Sequence, residues 1–186
     1  MSIAAMIQYV YTTLMVALPV FIVIAILRVI YLEKKNRTHH LTWRRELGVH
    51  CFIMYMVSLY EITAIRFGLG LSMENMMMRQ TRVSLEPMVV LLKWLKKGIW
   101  WHLFYNVVGN CVWFIPMGIL VPALFKKQRK LWKVTMIGAF VSSSIEILQY
   151  ILCTGVTDID DVIFNTLGTI IGYCIWKVLK KLFKIK

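Results

Sequence analysis

The sequence predicts an all-α fold, a polytopic integral membrane bundle of about five transmembrane helices. Of the 186 residues, 59% are hydrophobic and only 17% are charged, and the mean hydropathy is +0.68. Such values are typical of integral membrane proteins. Apolar runs close to the roughly 20 residues that a helix needs to cross a bilayer recur along the chain. They lie at residues 6–32, 47–67, 99–125, 134–152 and 162–179.

The connections around these runs differ in character. No lysine or arginine precedes the first run, whereas a secretory signal peptide begins with basic residues, so we expect a retained helix. Residues 68–98 form the longest connection and mix apolar with basic residues, which predicts an amphipathic stretch lying partly on the membrane. Residues 153–157 form a short turn that folds the fifth helix back on the fourth.

The basic residues predict how the chain is oriented in the membrane. Fifteen of the 22 lysines and arginines lie in the first and third connections and at the end of the last helix, against six on the other side. Because cytoplasmic loops are enriched in Lys and Arg, we expect the N-terminus outside and the C-terminus in the cytoplasm. The basic clusters favour membrane lipids with anionic headgroups as partners. No basic stripe with stacking aromatic residues occurs, so we expect no nucleic-acid partner.

Polar residues interrupt the fourth and fifth runs near the turn between them. Glu146 and Gln149 are three residues apart and share one helix face, while Asp158, Asp161 and Asn165 share another. An unpaired polar group in hydrocarbon costs several kcal/mol. We therefore expect these side chains to face one another and to point away from lipid.

Polar residues also recur along the third run. His102, Asn106 and Asn110 are spaced four residues apart and form one rough stripe. In the predicted orientation, this stripe and the hairpin residues lie in the outer half of the membrane, which predicts a single outward-facing polar pocket. The predicted binding residues are Arg82, His102, Asn106, Asn110, Glu146, Gln149, Asp158, Asp161 and Asn165.

The same residues also have structural interpretations. Acidic residues favour the N-terminus of a helix, so Asp158, Asp160 and Asp161 can serve as caps, Asp160 above all. The asparagines can form hydrogen bonds between helices. Glu146 can form a buried ion pair with Arg66 or Arg82. The sequence leaves these alternatives open.

Small residues indicate where the helices approach one another closely. Gly168 and Gly172 are four residues apart in the fifth run, and Gly118 lies in the third run. Small residues at such spacing let two helix backbones come together. We therefore expect a close contact of the third and fifth helices with their neighbours at these glycines.

Three blocks of sequence resemble the VanZ family. That family has N-x-x-x-F-x-P-x-G, then E-x-x-Q, then D-x-x-D-x-x-x-N-T-x-G. The chain has NCVWFIPMG at residues 110–118, EILQ at 146–149 and DIDDVIFNTLG at 158–168, and the R-x-x-L-x-P element that often precedes them at 82–87. The resemblance covers about residues 82–173. It divides the chain into two N-terminal helices with their loops at residues 1–81, a VanZ-like core at 82–176 and a basic cytoplasmic tail at 177–186.

The resemblance implies a bacterial inner-membrane protein associated with resistance to teicoplanin and similar lipoglycopeptides. Its expected partners are a lipid-linked component of the cell envelope or the antibiotic itself. Many members carry an arginine shortly before the first aspartate, whereas this chain has Gly155, Val156 and Thr157 there. If that arginine binds an anionic group in other members, Arg66 or Arg82 has to supply the cation in this chain.

Three classes of function are compatible with these residues. The first is a recognition or shielding protein with an outer polar pocket. The second is an enzyme acting on a phosphate-bearing envelope lipid, with Glu146, Asp158 and Asp161 as candidate catalytic residues, either alone or through a divalent cation. The third is a structural or transport subunit. Apart from that divalent cation we predict no cofactor, and the sequence does not decide whether the protein is an enzyme.

Overall fold

The computed structural model describes residues 3–34, 43–65 and 83–183. Five helical stretches in these ranges are long and apolar enough to cross a membrane, which confirms the predicted all-α helical bundle. In chain order the elements are α1 (Ile3–Lys34), α2 (Trp43–Tyr60), a π-helical turn (Glu61–Ile65), β1 (Val83–Ser84), α3 (Val89–Lys96), α4 (Trp100–Leu124), a 3-10 turn (Lys126–Gln128), α5 (Leu131–Leu152), β2 (Thr157–Asp158) and α6 (Ile159–Leu182).

The predicted runs correspond to α1, α2 with its π-helical turn, α4, α5 and α6. The last helix begins at Ile159, three residues before the apolar run at 162, because Asp158 caps it. The Asp158 side chain accepts a hydrogen bond from the backbone N–H of Asp160 at 3.0 Å. The sequence did not predict the parallel pairing of the two-residue strands β1 and β2.

The chain divides into two compact units. The first comprises Met1–Gln80 with Leu152–Thr154, and the second comprises Thr81–Ile151 with Gly155–Lys186. In the first unit α1 packs against α2. Arg28 Nη2 lies 3.1 Å from both carboxylate oxygens of Glu46, which ties the end of α1 to the start of α2. Glu61 is buried in the π-helical turn, and none of the described residues donates a hydrogen bond to its carboxylate.

Glycines bring the backbones of α4 and α6 into contact in the second unit. A methyl group built on Gly168 would overlap the carbonyl oxygen of Cys111, and one on Gly172 would overlap the carbonyl oxygen of Ile115. A methyl group on Gly118 would likewise collide with the backbone of α6. These contacts confirm the close packing predicted for the three glycines, and they hold the middle of α6 against the middle and second half of α4.

α3 packs beside α4 and is amphipathic. Leu91 and Trp94 face the core that α4 and α6 form. Leu92 and Leu95 lie on another face of α3 and are 51% and 42% exposed. This short helix is the described part of the amphipathic stretch that the sequence indicates, and its position on the membrane stays a prediction.

Candidate functional site

A cleft in the second unit brings acidic and aromatic side chains together. Its walls come from α3, α4, β2 and the first turns of α6. Its empty volume is about 230 Å³ with its open mouth included, and the space that the centre of a water molecule can occupy is about 20 Å³. A water needs roughly 10–15 Å³ by that measure, so the cleft admits one group of about that size. The lining residues are Leu91, Trp94, Asn106, Asp158, Asp160, Asp161 and Phe164.

Asp158 links the cleft to α5. Its backbone is extended at the N-cap of α6, and its N–H donates a hydrogen bond to Glu146 Oε2 at 2.9 Å. Burial raises the pKa of the Asp158 carboxyl, and the charge of Asp160 raises it further, while the hydrogen bond from the Asp160 N–H partly offsets both. Burial in the cleft therefore favours the protonated form of the Asp158 carboxyl.

Asp160 holds the segment before α3. Its side chain is buried, with 4% of its surface exposed. The backbone N–H of Met88 donates to both of its carboxylate oxygens, at 2.8 and 3.1 Å. Met88 has a left-handed backbone with φ of +63°, and it is the residue at which the chain turns into α3. The sequence suggests Asp160 chiefly as a cap of its own helix, whereas the structure uses its carboxylate to fasten a segment 72 residues away.

Asp161 and the asparagines of α4 meet at the same place. The side-chain amide of Asn110 donates a hydrogen bond to Asp161 Oδ1. Asn106 lies one turn earlier on α4 and lines the cleft. Two members of the predicted stripe thus face the start of α6. His102 belongs to the same helix, and Arg82 lies outside the residues that the structure describes.

Glu146, Gln149 and Asn165 do not line this cleft. All three are buried, at 5%, 5% and 6% exposure. Asn165 donates to Ser142 Oγ at 2.9 Å, and this hydrogen bond joins α6 to α5. Glu146 accepts from Asp158 and so acts on the cleft through the backbone of β2. Of the residues that the sequence predicts for one pocket, the cleft is lined by Asn106, Asp158 and Asp161, whereas Asn165 lies at the contact of α6 with α5.

The electrostatic character of the cleft follows from its lining. Three of its seven lining residues carry carboxyl groups, and none is lysine or arginine. Backbone N–H groups and the Asn110 amide, which are neutral donors, form hydrogen bonds to these carboxylates. Such a site attracts cations and repels phosphate. Carboxylates beside the faces of aromatic rings are the combination that proteins use to hold ammonium groups.

The sequence does not single out the apolar half of the cleft. Leu91 and Trp94 come from the long connection before α4, and Phe164 comes from the apolar face of α6. Only the three-residue spacing of Leu91 and Trp94 indicates that they share a helix face. Nothing in their local sequence indicates that this face closes over the aspartates.

Comparison with known proteins identifies relatives of the chain. Residues 52–180 match the VanZ/LLP1 family, which is more than half of the chain. Over 78 residues the chain is 36% identical to Protein VanZ of Enterococcus faecium. That match covers 42% of this chain and 48% of the relative, so the chain spans about half the length of the curated relative that it matches. No solved structure matches. The chain belongs to the VanZ/LLP1 family.

Proposed function

We propose that this protein confers or modulates resistance to teicoplanin and related lipoglycopeptides by binding a positively charged group in the acidic cleft. The observation that carries the proposal is the lining: three carboxyl groups, one amide and two aromatic rings around a space about the size of one water molecule. An ammonium group fits this space and charge. The group belongs either to the antibiotic or to a lipid-linked component of the envelope.

The size of the cleft limits what enters it. A sugar ring or a phosphate is several times larger than a water molecule, so only a terminal group of the ligand can enter a space of this size. The rest of the ligand lies outside, across the exposed side of α3 that carries Leu92 and Leu95. That apolar surface suits the hydrocarbon part of a lipid-linked molecule.

We infer that the cleft opens to the outer side of a bacterial inner membrane. The support is the distribution of Lys and Arg, which favours the cytoplasmic side for the opposite end of α6. An outward cleft would meet an antibiotic before it crosses the membrane. It would also meet envelope components that are displayed on the outer leaflet.

An enzyme acting on a phosphate-bearing lipid is the second candidate. Its carboxylates would need a cation to bridge them to a phosphate. In the part of the chain that the structure describes, no three His, Cys, Asp or Glu residues are grouped so that they could hold a metal ion. The acidic lining therefore favours recognition of a cationic group over metal-assisted chemistry. A purely structural or transport role predicts that the charge of the cleft is dispensable.

The test is the teicoplanin susceptibility of a sensitive bacterial host that expresses the whole chain. We expect the wild type to raise resistance and Asp158→Asn to return it to the level of the empty vector, because Asn keeps the shape and removes the charge. Glu146→Gln should retain resistance, since a glutamine oxygen can still accept the Asp158 N–H. Membrane levels of each variant are compared on blots.

The matched control is Glu86→Gln, which removes one negative charge from an exposed residue outside the lining. We expect it to behave as the wild type. Full resistance of Asp158→Asn at normal abundance would rule out the charged cleft and leave the structural role. Unchanged susceptibility with the wild type would rule out the resistance function altogether.

A further inference from the structure

The second unit carries a strongly basic end that the proposed function does not use. We call it the basic end and define it by the cations at the end of α4, the start of α5 and the last turns of α6. Residues 119–145 and 162–183 contain no aspartate or glutamate. The cations are Lys126, Lys127, Arg129, Lys130, Lys133, Lys177, Lys180 and Lys181.

Two of these cations share one aromatic ring. The guanidinium carbon of Arg129 lies 5.7 Å from the centre of the Trp176 ring, and Lys180 Nζ lies 5.6 Å from it. Trp176 is itself buried, with 8% exposure. Like charges repel when they are brought together, and the negative face of an indole offsets part of that repulsion. The ring thus contacts two positive charges, each within 5.7 Å of its centre.

Arg129 is held there by neutral groups. Its Nε donates to the carbonyl oxygen of Pro122 at 3.2 Å. Its own carbonyl oxygen accepts from the hydroxyl of Tyr173 at 3.0 Å. The first hydrogen bond positions the guanidinium group, and the second fixes the backbone that carries it. A planar guanidinium held in this way is suited to a phosphate, which it can bind with two parallel hydrogen bonds.

The neighbourhood of this pair of cations is that of a membrane interface. Phe125, Trp132 and Phe183 are 42%, 62% and 71% exposed beside the lysines. Large exposed aromatic side chains next to basic residues are typical of the headgroup region at the end of a membrane helix. A soluble phosphate would need none of these apolar surfaces. The anion that fits both features is a phosphate attached to lipid.

We propose that Arg129, Trp176 and Lys180 form a binding site for the phosphate of an anionic phospholipid headgroup. The phosphate is bound beside the Trp176 ring by the two cations that contact it. The glycerol and acyl chains lie against the exposed aromatic residues. This site is independent of the acidic cleft, which lies at the other end of α6. Trp176 follows Asp158 by 18 residues, which is about 27 Å at about 1.5 Å per helical residue.

The experiment uses the full chain, purified in detergent and mixed with equal amounts of phosphatidylglycerol and phosphatidylcholine. Native mass spectrometry counts the lipids that stay bound. We expect the wild type to retain phosphatidylglycerol in preference to phosphatidylcholine. The double variant Arg129→Gln with Lys180→Gln should lower that preference about tenfold, because it removes both cations that face the phosphate.

The matched control is Lys126→Gln with Lys127→Gln. It removes the same charge from the same end of the unit but leaves the cations over Trp176 in place. We expect a preference within about twofold of the wild type. An equal loss in both double variants would overturn the site and leave only the bulk charge of the basic end. Absence of any preference in the wild type would also overturn it.

A single substitution and a competing anion test the same site in two further ways. If the Arg129 variant does not fold, Lys180→Gln alone is expected to lower the preference about threefold, and no change would contradict the proposal. Inorganic phosphate at millimolar concentration should not displace the bound phosphatidylglycerol. Complete displacement would assign the site to a soluble anion instead of a lipid.

Discussion

The two ends of α6 carry opposite charges and contact them by different neutral groups. At its start, the carboxylates of Asp158 and Asp160 accept hydrogen bonds from backbone N–H groups, and Asp161 accepts one from the Asn110 amide. At its other end, the cations gather over the ring of Trp176. Both arrangements agree with the helix dipole, which favours acidic residues at the N-terminus and basic residues at the C-terminus.

The difference between the ends lies in how much of each is enclosed. The acidic end is a small cleft with room for one group about the size of a water molecule. The basic end is spread over three chain segments, and its aromatic residues are largely exposed. A small enclosed site can select a ligand by size, whereas an open surface selects by charge. The same helix can therefore carry a recognition site at one end and a lipid contact at the other.

The largest effect is expected from a substitution that disrupts both the acidic cleft and the basic end. Gly168→Leu places a side chain where α6 touches the carbonyl oxygen of Cys111, so α4 and α6 have to separate. Overpacking of this kind costs about 1–3 kcal/mol or more, and here the obstacle is backbone that cannot move aside. We expect little folded protein, and loss of both teicoplanin resistance and lipid preference in what remains. The measurements are the yield of monodisperse protein and its thermal midpoint in detergent.

Gly109→Ala is the control for this prediction. Gly109 also lies on α4, but a methyl group there meets no other atom within 4 Å. Its midpoint should equal that of the wild type or exceed it slightly, because alanine is the better helix former. A Gly168→Leu variant as stable as Gly109→Ala would show that the ends of α6 do not depend on the glycine contact.

The architecture is predictable from the sequence because its determinants are local. The apolar runs specify the spanning helices by length alone, and the spacing of Gly168 and Gly172 indicates a close contact. The start of α6 is harder to predict, since Asp158 and Asp160 are polar and extend the helix beyond its apolar run. A hydropathy pattern does not indicate where a capping hydrogen bond forms.

The composition of the cleft is only partly predictable. Periodicity groups Asn106 with Asn110, and Asp158 with Asp161, which the structure brings to one place. Periodicity does not predict that Asn165 donates its hydrogen bond to Ser142, because side chains on one face of a helix can contact different neighbours. The link from Asp160 to Met88 joins residues far apart in sequence, and no local pattern encodes it.

A smaller effect is expected where the acidic end is fastened to the segment before α3. Asp160→Ala removes the carboxylate that accepts the Met88 N–H and so loses a hydrogen bond to a charged group. We expect the free energy of unfolding to fall by about 1–3 kcal/mol. Hydrogen exchange at the Met88 amide should also become faster. The basic end should keep its preference for phosphatidylglycerol, which separates this variant from Gly168→Leu.

Asp160→Asn is the paired variant, because an asparagine oxygen can still accept the Met88 N–H. It should retain most of the stability that Asp160→Ala loses. If both substitutions destabilise the protein equally, the charge of Asp160 matters more than its contact with Met88. If neither does, the carboxylate does not hold this segment.

The smallest expected effect distinguishes the ends by their response to pH. The pKa of the Asp158 carboxyl is raised in the folded protein, first by burial and then by the charge of Asp160. The folded state therefore binds this proton more tightly than the unfolded chain, whose Asp pKa is about 3.9. The resulting stabilisation is complete below the unfolded pKa and is lost as the pH rises through the folded pKa.

Asp158→Asn has no such proton. As the pH rises from 4 to 8, the thermal midpoint of the wild type in detergent should therefore fall relative to that of Asp158→Asn. The Lys126→Gln with Lys127→Gln control should show no such divergence over this range, because it leaves the Asp158 carboxyl in place. A constant difference between Asp158→Asn and wild type across the range would mean that Asp158 titrates as in the unfolded chain and that the acidic cleft does not favour its protonated form.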